Sequence, residues 1–362
     1  MENPIIISKL LLLVSLFSVS VSAECQRRFR VVEYNVENLF DTLHDVGYND
    51  NEFLPEGSRR WDSARYWGKL GRLCRVITAA GGEAPADLVG LCEVENDTVV
   101  HHLVRRTLLH RLGYEFVMTH SIDRRGLDVA LLYQPLRFCP LTVNSLRVPF
   151  SAASERPTRD ILHVSGLLPT SDTLDVFVCH LPSRRGGARQ TEAYRQRACR
   201  LLRAAVDSIA TLRHSPLVLI MGDMNDEPQD ASLRKVLRAE VVKHEEVKAD
   251  HSAQGYAGWE RGDSTLALYN LTAGVKGEGG IEGTYMYRGR WNRLDHIIVS
   301  GTLLDAASPL QVSPSSARVL ALPMLLEEQG QGSAVRPRCT FQGPIYRGGV
   351  SDHLPLVLDF YY

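Results

Sequence analysis

The chain has 362 residues, and the features missing from it narrow the field first. Its seven cysteines, at 25, 74, 92, 139, 179, 199 and 339, include no Cys-x-x-Cys pair, which removes the usual structural zinc site. An odd count leaves at least one thiol unpaired or intermolecular, and the spacing enforces no disulfide. Cys74, Cys92, Cys179 and Cys199 lie within apolar patterns, where a thiol behaves as a small buried hydrophobe. No strand-like run leads into G-x-G-x-x-G or G-x-x-x-x-G-K-[ST], so the glycine cradles that hold nucleotide phosphates are missing. A formal net charge of −1 argues against a strongly basic, salt-driven nucleic-acid binder. No internal repeat and no Pro/Ser linker divides the chain. Beyond residue 23 no apolar run is long enough to cross a bilayer, which takes about 20 residues.

The beginning of the chain is different in kind. "MENPIIISKLLLLVSLFSVSVSA" carries Lys9, an apolar stretch from Leu10, and Val21-Ser22-Ala23, a small-residue cleavage pattern. Residues 1–23 are therefore read as a signal peptide and 24–362 as one domain, exported to a periplasm or the extracellular space. A retained N-terminal anchor is the alternative. A lipoprotein at Cys25 is disfavoured by Glu24, which stands where a small residue belongs. The mature chain is expected to be a monomer without a stable membrane span.

What the chain does have is a series of apolar runs that end in polar chemistry. They are 29–36, 86–96, 128–133, 172–183, 216–226, 294–301 and 354–360, all readable as buried strands. Between them, 61–82, 96–114 and about 188–214 place apolar residues on one helical face. Strands and helices alternate throughout, so a single α/β domain is expected, with loop insertions at 240–280 and 305–345. The loop 39–61 contains Asp45, Asn49 and Asp50, which do not match EF-hand spacing and are read as solvated.

The stretch "LIMGDMNDEP", 219–228, raises the functional question. A strand built for burial delivers Asp223 and Asn225 at its end. Others deliver Asn35, Glu93, His180, and Asp352 with His353, while "WNRLDHIIVS" adds Asp295. Any one of these has an ordinary explanation as a turn, cap or buried hydrogen-bonding residue. Glu93 is harder to explain away, because an unpaired carboxylate between Leu91, Cys92 and Val94 is costly to bury. Together they match one chemistry. Hard divalent cations take carboxylate and amide oxygens, and a phosphodiester needs its charge neutralised and a water aimed in line.

These motifs, "YNVEN", "LCEVEN", "VCHLPSR", "GDMND", "LDHI" and "SDH", stand in the order expected for the endonuclease/exonuclease/phosphatase superfamily, and the chain resembles its DNase I-like, metal-dependent members over most of 29–362. The resemblance implies a four-layer α/β sandwich of two mixed β-sheets flanked by helices. It implies Mg²⁺ (or Mn²⁺) held by Glu93 with Asn35 and Asp352, and in some branches by an acid at Glu37, for which a solvated turn is the competing reading. Asp223 would orient or deprotonate the water, Asn225 hold a phosphate oxygen and His353 bind the phosphate. His180 would assist the leaving oxygen, and Asp295 would orient a histidine or support the metal. The family's mid-chain Arg is assigned to Arg159, with Arg156 as rival. His296 is given no role. The expected partner is a nucleic-acid substrate, on the strength of the export signal, His180 and the Arg- and aromatic-bearing loops at 184–189 and 285–293. A phospholipid or inositol phosphate is the alternative substrate, and a non-catalytic binding protein on the same fold is the reading from another class.

Overall fold

Sheets with one wet face alternate apolar and polar residues, but the strands here are apolar on both faces and must be covered on both. The computed structural model describes residues 27–149, 157–242, 266–328 and 335–362 and shows that arrangement. Residues 1–23, Cys25 and Arg156 lie outside the described residues.

The chain first builds β1 (Arg28–Leu39), α1 (Ser63–Gly81), β2 (Leu88–Val94), α2 (Asp97–Arg106), β3 (Glu115–Met118) and β4 (Asp128–Tyr133). It then crosses to β5 (Cys139–Leu146), β6 (Ile161–Leu167), β7 (Thr173–His180), α3 (Ala188–Leu212), β8 (Leu217–Asp223), β9 (Ala239–Val241) and β10 (Leu268–Asn270). A hairpin, β11 (Tyr285–Tyr287) and β12 (Arg290–Asn292), precedes β13 (Asp295–Ser300). The last part adds β14 (Gln311–Val319), two small hairpins from β15 (Leu326–Glu328) with β16 (Val335–Pro337) and β17 (Phe341–Gln342) with β18 (Ile345–Tyr346), and finally β19 (Leu356–Tyr361).

One sheet has the order β14-β19-β1-β2-β4-β3 and the other β5-β6-β7-β8-β13-β10-β9, each mixing parallel and antiparallel neighbours. The sheets pack through β1, β2 and β4 against β7, β8 and β13. Helices α1 and α2 cover the outer face of the first sheet, and α3 covers the second, where Ala198, Leu202 and Val206 meet Phe177 and Ile220. This is the expected four-layer α/β sandwich. The sheets approach so closely at Gly90 that a Cβ there would lie 2.7 Å from Met221 Sδ.

Several expectations change. The helix expected across 96–114 stops at Arg106, because Thr107 turns extended and its Oγ1 accepts from Leu109 N at 3.2 Å to start a separate 3₁₀ turn. The stretch 305–345 is not simply an insertion: it supplies the edge strand β14. The loop 39–61 is not solvated throughout. Asp50 is buried, paired with His44 and accepting from Asp45 N, and Phe40 stacks on Phe53 at 4.3 Å. The six described cysteines are all free thiols. Among the described residues no helix is long and apolar enough to cross a membrane.

Candidate phosphoester site

Strand register places the central groups. β7 and β8 run parallel with His180 opposite Asp223, and β13 runs antiparallel with Asp295 opposite Asp223. Three neighbouring strand ends therefore present an imidazole and two carboxylates side by side. Like charges directly opposite on a sheet destabilise it, so this pairing needs a compensating partner. That partner is His353, from the segment leading into β19, whose Nδ1 lies 2.7 Å from Asp295 Oδ2. Its Nε2 lies 3.9 Å from Asp223 Oδ2.

The backbone bends to deliver these groups. Gly222 has φ +139°, and a Cβ there would fall 1.9 Å from Cys179 O, so only glycine fits immediately before Asp223. Asn225 (φ 51°), Glu93 (φ 66°), Glu37 (φ 52°) and Asn38 (φ 48°) all sit in the left-handed region. Such strain gathers where surrounding structure enforces it, commonly at functional sites. Glu93 also marks a break in the β2–β4 register between Cys92 and Val94, a bulge that re-aims its side chain.

From the first sheet, Asn35 Nδ2 donates to Asp223 Oδ2 at 3.0 Å. Glu93 Oε2 accepts from Asn38 N at 2.8 Å, and its Oε1 lies 3.7 Å from His180 Nε2. Nε2 of the same histidine faces Asp223 Oδ2 at 3.5 Å, while its Nδ1 is buried with no partner among the described residues. Asn225 holds the turn, its N–H donating to Asp223 Oδ1 at 2.9 Å and its Nδ2 to Leu181 O at 3.0 Å. Arg159, fully enclosed, donates to the carbonyls of His180 and Leu181 and pairs with Asp123 at 3.1 Å. Thr284 Oγ1 donates to Asp295, and Tyr285 stacks over His353 with ring centroids 4.7 Å apart. Ser351 Oγ donates to Asn35 O and accepts from His353 N, tying the segment that carries His353 to β1 at the site.

The electrostatics split the two histidines. Burial and the charges of Arg159 and Arg125 hold His180 well below the ordinary imidazole range, so it is neutral. Burial also works against a charge on His353, but Asp295, through charge and hydrogen bond, together with Asp352 and Asp223, holds it protonated well above that range. Burial and the Asp295 charge push Asp223 up to about 7. Asp352 rises to about 6, by burial and the Glu93 charge against the opposing effect of His353.

Nine of the ten residues expected from sequence lie in or directly behind this cluster. Glu37 is turned elsewhere. Its carboxylate accepts from Thr340 N at 2.6 Å and Phe341 N at 3.2 Å, and its carbonyl accepts from the buried Lys69. Both oxygens accept from the 340 loop and the residue is buried, so it is not a solvated turn. Arg184 is also structural, bonded to Asp226 and Asp230, and His296 is buried between Asn270 and Asp226 O.

Sequence reasoning passed over Glu33. It lies fully buried in β1 with no hydrogen bond to either carboxylate oxygen among the described residues, and burial, then Asp295 and Asp223, pushes its pKa far up. The signal was present as a lone glutamate inside "FRVVEYNV".

Whether a divalent cation suits these residues is decided by the donor set. Glu93, Asp223, Asp295 and Asp352 concentrate negative charge against the His353 imidazolium and the Lys69 ammonium, and the raised Asp223 and Asp352 register that crowding. Asp223, Asp295 and His353 offer ligand atoms all within 4.8 Å of one another. His353 Nδ1 is already engaged by Asp295 at 2.7 Å, which suits that trio to phosphate and water, while the carboxylate oxygens of Glu93 and Asp352 with the Asn35 amide suit a hard cation.

The profile of the Endonuclease/Exonuclease/phosphatase family matches residues 30–361. The chain belongs to that family. Among solved structures it is similar to a D. rerio TDP2 humanised by 14 mutations, at 15% identity and TM-score 0.53, covering 92% of this chain and 98% of that one. It is similar to the Bacteroides thetaiotaomicron mannosyl-6-phosphatase Bt3783, at 14% and 0.54, covering 92% and 100%. The human Nocturnin catalytic domain, with bound sulfate, matches at 18% and 0.50, covering 93% and 98%. At these identities the likeness shows the fold. A comparison with curated proteins found no match. This family member thus carries the architecture and polar strand ends of a phosphoesterase.

Proposed function

We propose that this family member is a divalent-metal-dependent phosphodiesterase that cleaves nucleic-acid backbones by in-line attack of water. The observation that carries the reading is the convergence of His180, Asp223 and Asp295 at neighbouring strand ends, with His353 Nδ1 2.7 Å from Asp295 Oδ2, so that two histidines flank one carboxylate in opposed electrostatic surroundings. Groups whose surroundings drive their pKa values apart take different acid–base roles.

Asp223, poised near 7, accepts the proton of the attacking water, which suits a general base working near neutral pH. The His353 imidazolium, held by Asp295, neutralises the phosphate charge. Asn225 donates to a phosphate oxygen. Neutral His180 turns its Nε2 toward the leaving side and supports the departing oxygen by hydrogen bonding rather than by giving up a proton. Glu93 and Asp352, with Asn35, would hold Mg²⁺ or Mn²⁺, whose charge polarises the phosphoryl group and stabilises the departing oxygen. Arg159 holds the His180 and Leu181 carbonyls and so aims the imidazole.

The TDP2 structures include one complexed with a single-strand DNA product, which supports a nucleic-acid substrate, whereas the mannosyl-6-phosphatase neighbour supports a phosphosugar. A substrate panel with Mg²⁺ and with EDTA tests the proposal: single-stranded DNA, RNA, plasmid, mannose 6-phosphate, inositol phosphates and sphingomyelin. Metal-dependent cleavage of DNA or RNA is expected. Hydrolysis of phosphomonoesters alone would overturn the nuclease reading. Export rests on the sequence of residues 1–23, and N-terminal sequencing of the exported protein should begin at Glu24.

A further inference from the structure

A cleft of about 720 Å³ opens immediately beside the His180 strand end. Pro182 and Ser183, just past His180 in the chain, line it, and so does Arg159, whose Nε and Nη2 hold the His180 and Leu181 carbonyls. Its walls carry five guanidinium groups, from Arg124, Arg125, Arg159, Arg185 and Arg197. Among the described residues the only carboxylate in the lining is Asp123, and it already pairs with Arg159 at 3.1 Å and Arg125 at 3.4 Å. A chain with a net charge of −1 has therefore concentrated a strong positive excess in one concavity. Tyr194 adds a half-exposed ring to the wall with Arg197 5.9 Å from its centroid, and the buried hydroxyl of Thr158 has no partner among the described residues.

A single phosphate is far smaller than this space, which falls within the size range of ligand pockets. Phosphate oxygens suit guanidinium forks, and a nucleobase suits an exposed aromatic ring. We infer that the cleft binds the next phosphate and nucleoside of a nucleic-acid strand on the leaving-group side of the scissile bond. The inference rests on the phosphodiesterase reading above and adds to it a specific requirement: the substrate is a nucleotide chain, anchored one link beyond the reacting phosphorus.

The experiment uses the exposed arginines, changed as R124E with R185E, and Arg75→Glu on α1 as a charge control outside the cleft. Binding of a fluorescein-labelled single-stranded oligonucleotide of about twelve nucleotides, within the site sizes common for such strands, is followed by anisotropy in EDTA over a range of salt. The double variant should bind tenfold or more weakly with a flatter salt dependence, as expected when phosphate contacts are lost. With Mg²⁺, the ratio of kcat/KM for the oligonucleotide to that for bis(4-nitrophenyl) phosphate should fall tenfold or more. Arg75→Glu should change neither, and unchanged thermal melting will show that the variants are folded. Equal binding and an equal ratio in wild type and double variant would overturn the inference. So would a wild type that binds phosphatidylglycerol vesicles through these arginines and leaves the oligonucleotide free. If neither diester is hydrolysed although binding behaves as expected, the catalytic reading fails while the cleft assignment stands.

Discussion

Asp223 and Asp295 are register partners on neighbouring antiparallel strands, and His353 bridges their carboxylates from a segment more than fifty residues further along the chain. Two buried carboxylates in that position repel. The imidazolium between them relieves the repulsion and is itself kept charged by it, so the site's charge state belongs to the trio.

Asp295→Asn tests this dependence. Without the Asp295 charge, burial prevails and His353 loses its proton at lower pH. Activity should fall about 10²-fold, on the scale of one electrostatic group, and the alkaline limb of the kcat/KM profile should move toward acid pH. A profile that keeps its wild-type alkaline limb would show that His353 is charged independently of Asp295.

Glu37 is expected to matter for stability rather than for metal. Glu37→Ala leaves the Thr340 and Phe341 N–H groups without acceptors, at roughly 1–3 kcal/mol for each buried group. Glu37→Gln keeps one acceptor and should lose less. Denaturant unfolding will rank the two, and Mn²⁺ titration calorimetry should find the affinity of Glu37→Gln within about threefold of wild type, a difference below 1 kcal/mol. A loss of tenfold or more would restore Glu37 as a ligand.

Stability should decline toward alkaline pH, in part through Glu95. Burial, then Asp41, Asp45 and Asp50, push this group up to about 9, against the opposing hydrogen bond from Asp41 N. Its folded pKa is raised, so its contribution is complete below the unfolded value near 4.5 and disappears as pH rises through about 9. Across that window one proton difference gives a slope of up to about 1.4 kcal/mol per pH unit. Melting temperatures of Glu95→Gln should therefore exceed wild type by more at pH 9 than at pH 5. Parallel curves would exclude a protonated Glu95.

Gly222→Ala should be severe, since its Cβ would collide with Cys179 O at a φ that side chains rarely adopt. Loss of folded yield or of several degrees in Tm is expected. An active, equally stable Gly222→Ala protein would mean that the bend before Asp223 relaxes easily.

Much of this was legible in the sequence for a simple reason. Glu93, His180 and Asp223 each close a largely apolar run, Asn35 ends one interrupted only by Glu33, and Asp352 stands just before another, and burial on both faces makes a polar terminus conspicuous. The same rule hid Glu33, because a single glutamate inside "FRVVEYNV" reads as part of the strand. Lys69 was hidden by its helix, where a lysine beside Leu70 looks solvated although it is buried against Glu37 and Thr340. Strands β5 and β14 were missed because edge strands keep polar residues on an open face, so "CPLTVNSL" and "QVSPSSARV" lack the apolar signature. Glu37 shows the remaining gap: a motif position places a residue near the site, but only the loop at 340 decides where its carboxylate points.

The most direct test is hydrolysis of a single-stranded oligonucleotide by wild type and Glu93→Gln, each stripped with EDTA and then titrated with Mg²⁺. The stripped wild type should be inactive and recover with Mg²⁺, while Glu93→Gln should remain about 10²-fold or more below it at equal metal. Cleavage that survives EDTA, or a Glu93→Gln protein that recovers fully, would contradict a single metal-centred site at these strand ends.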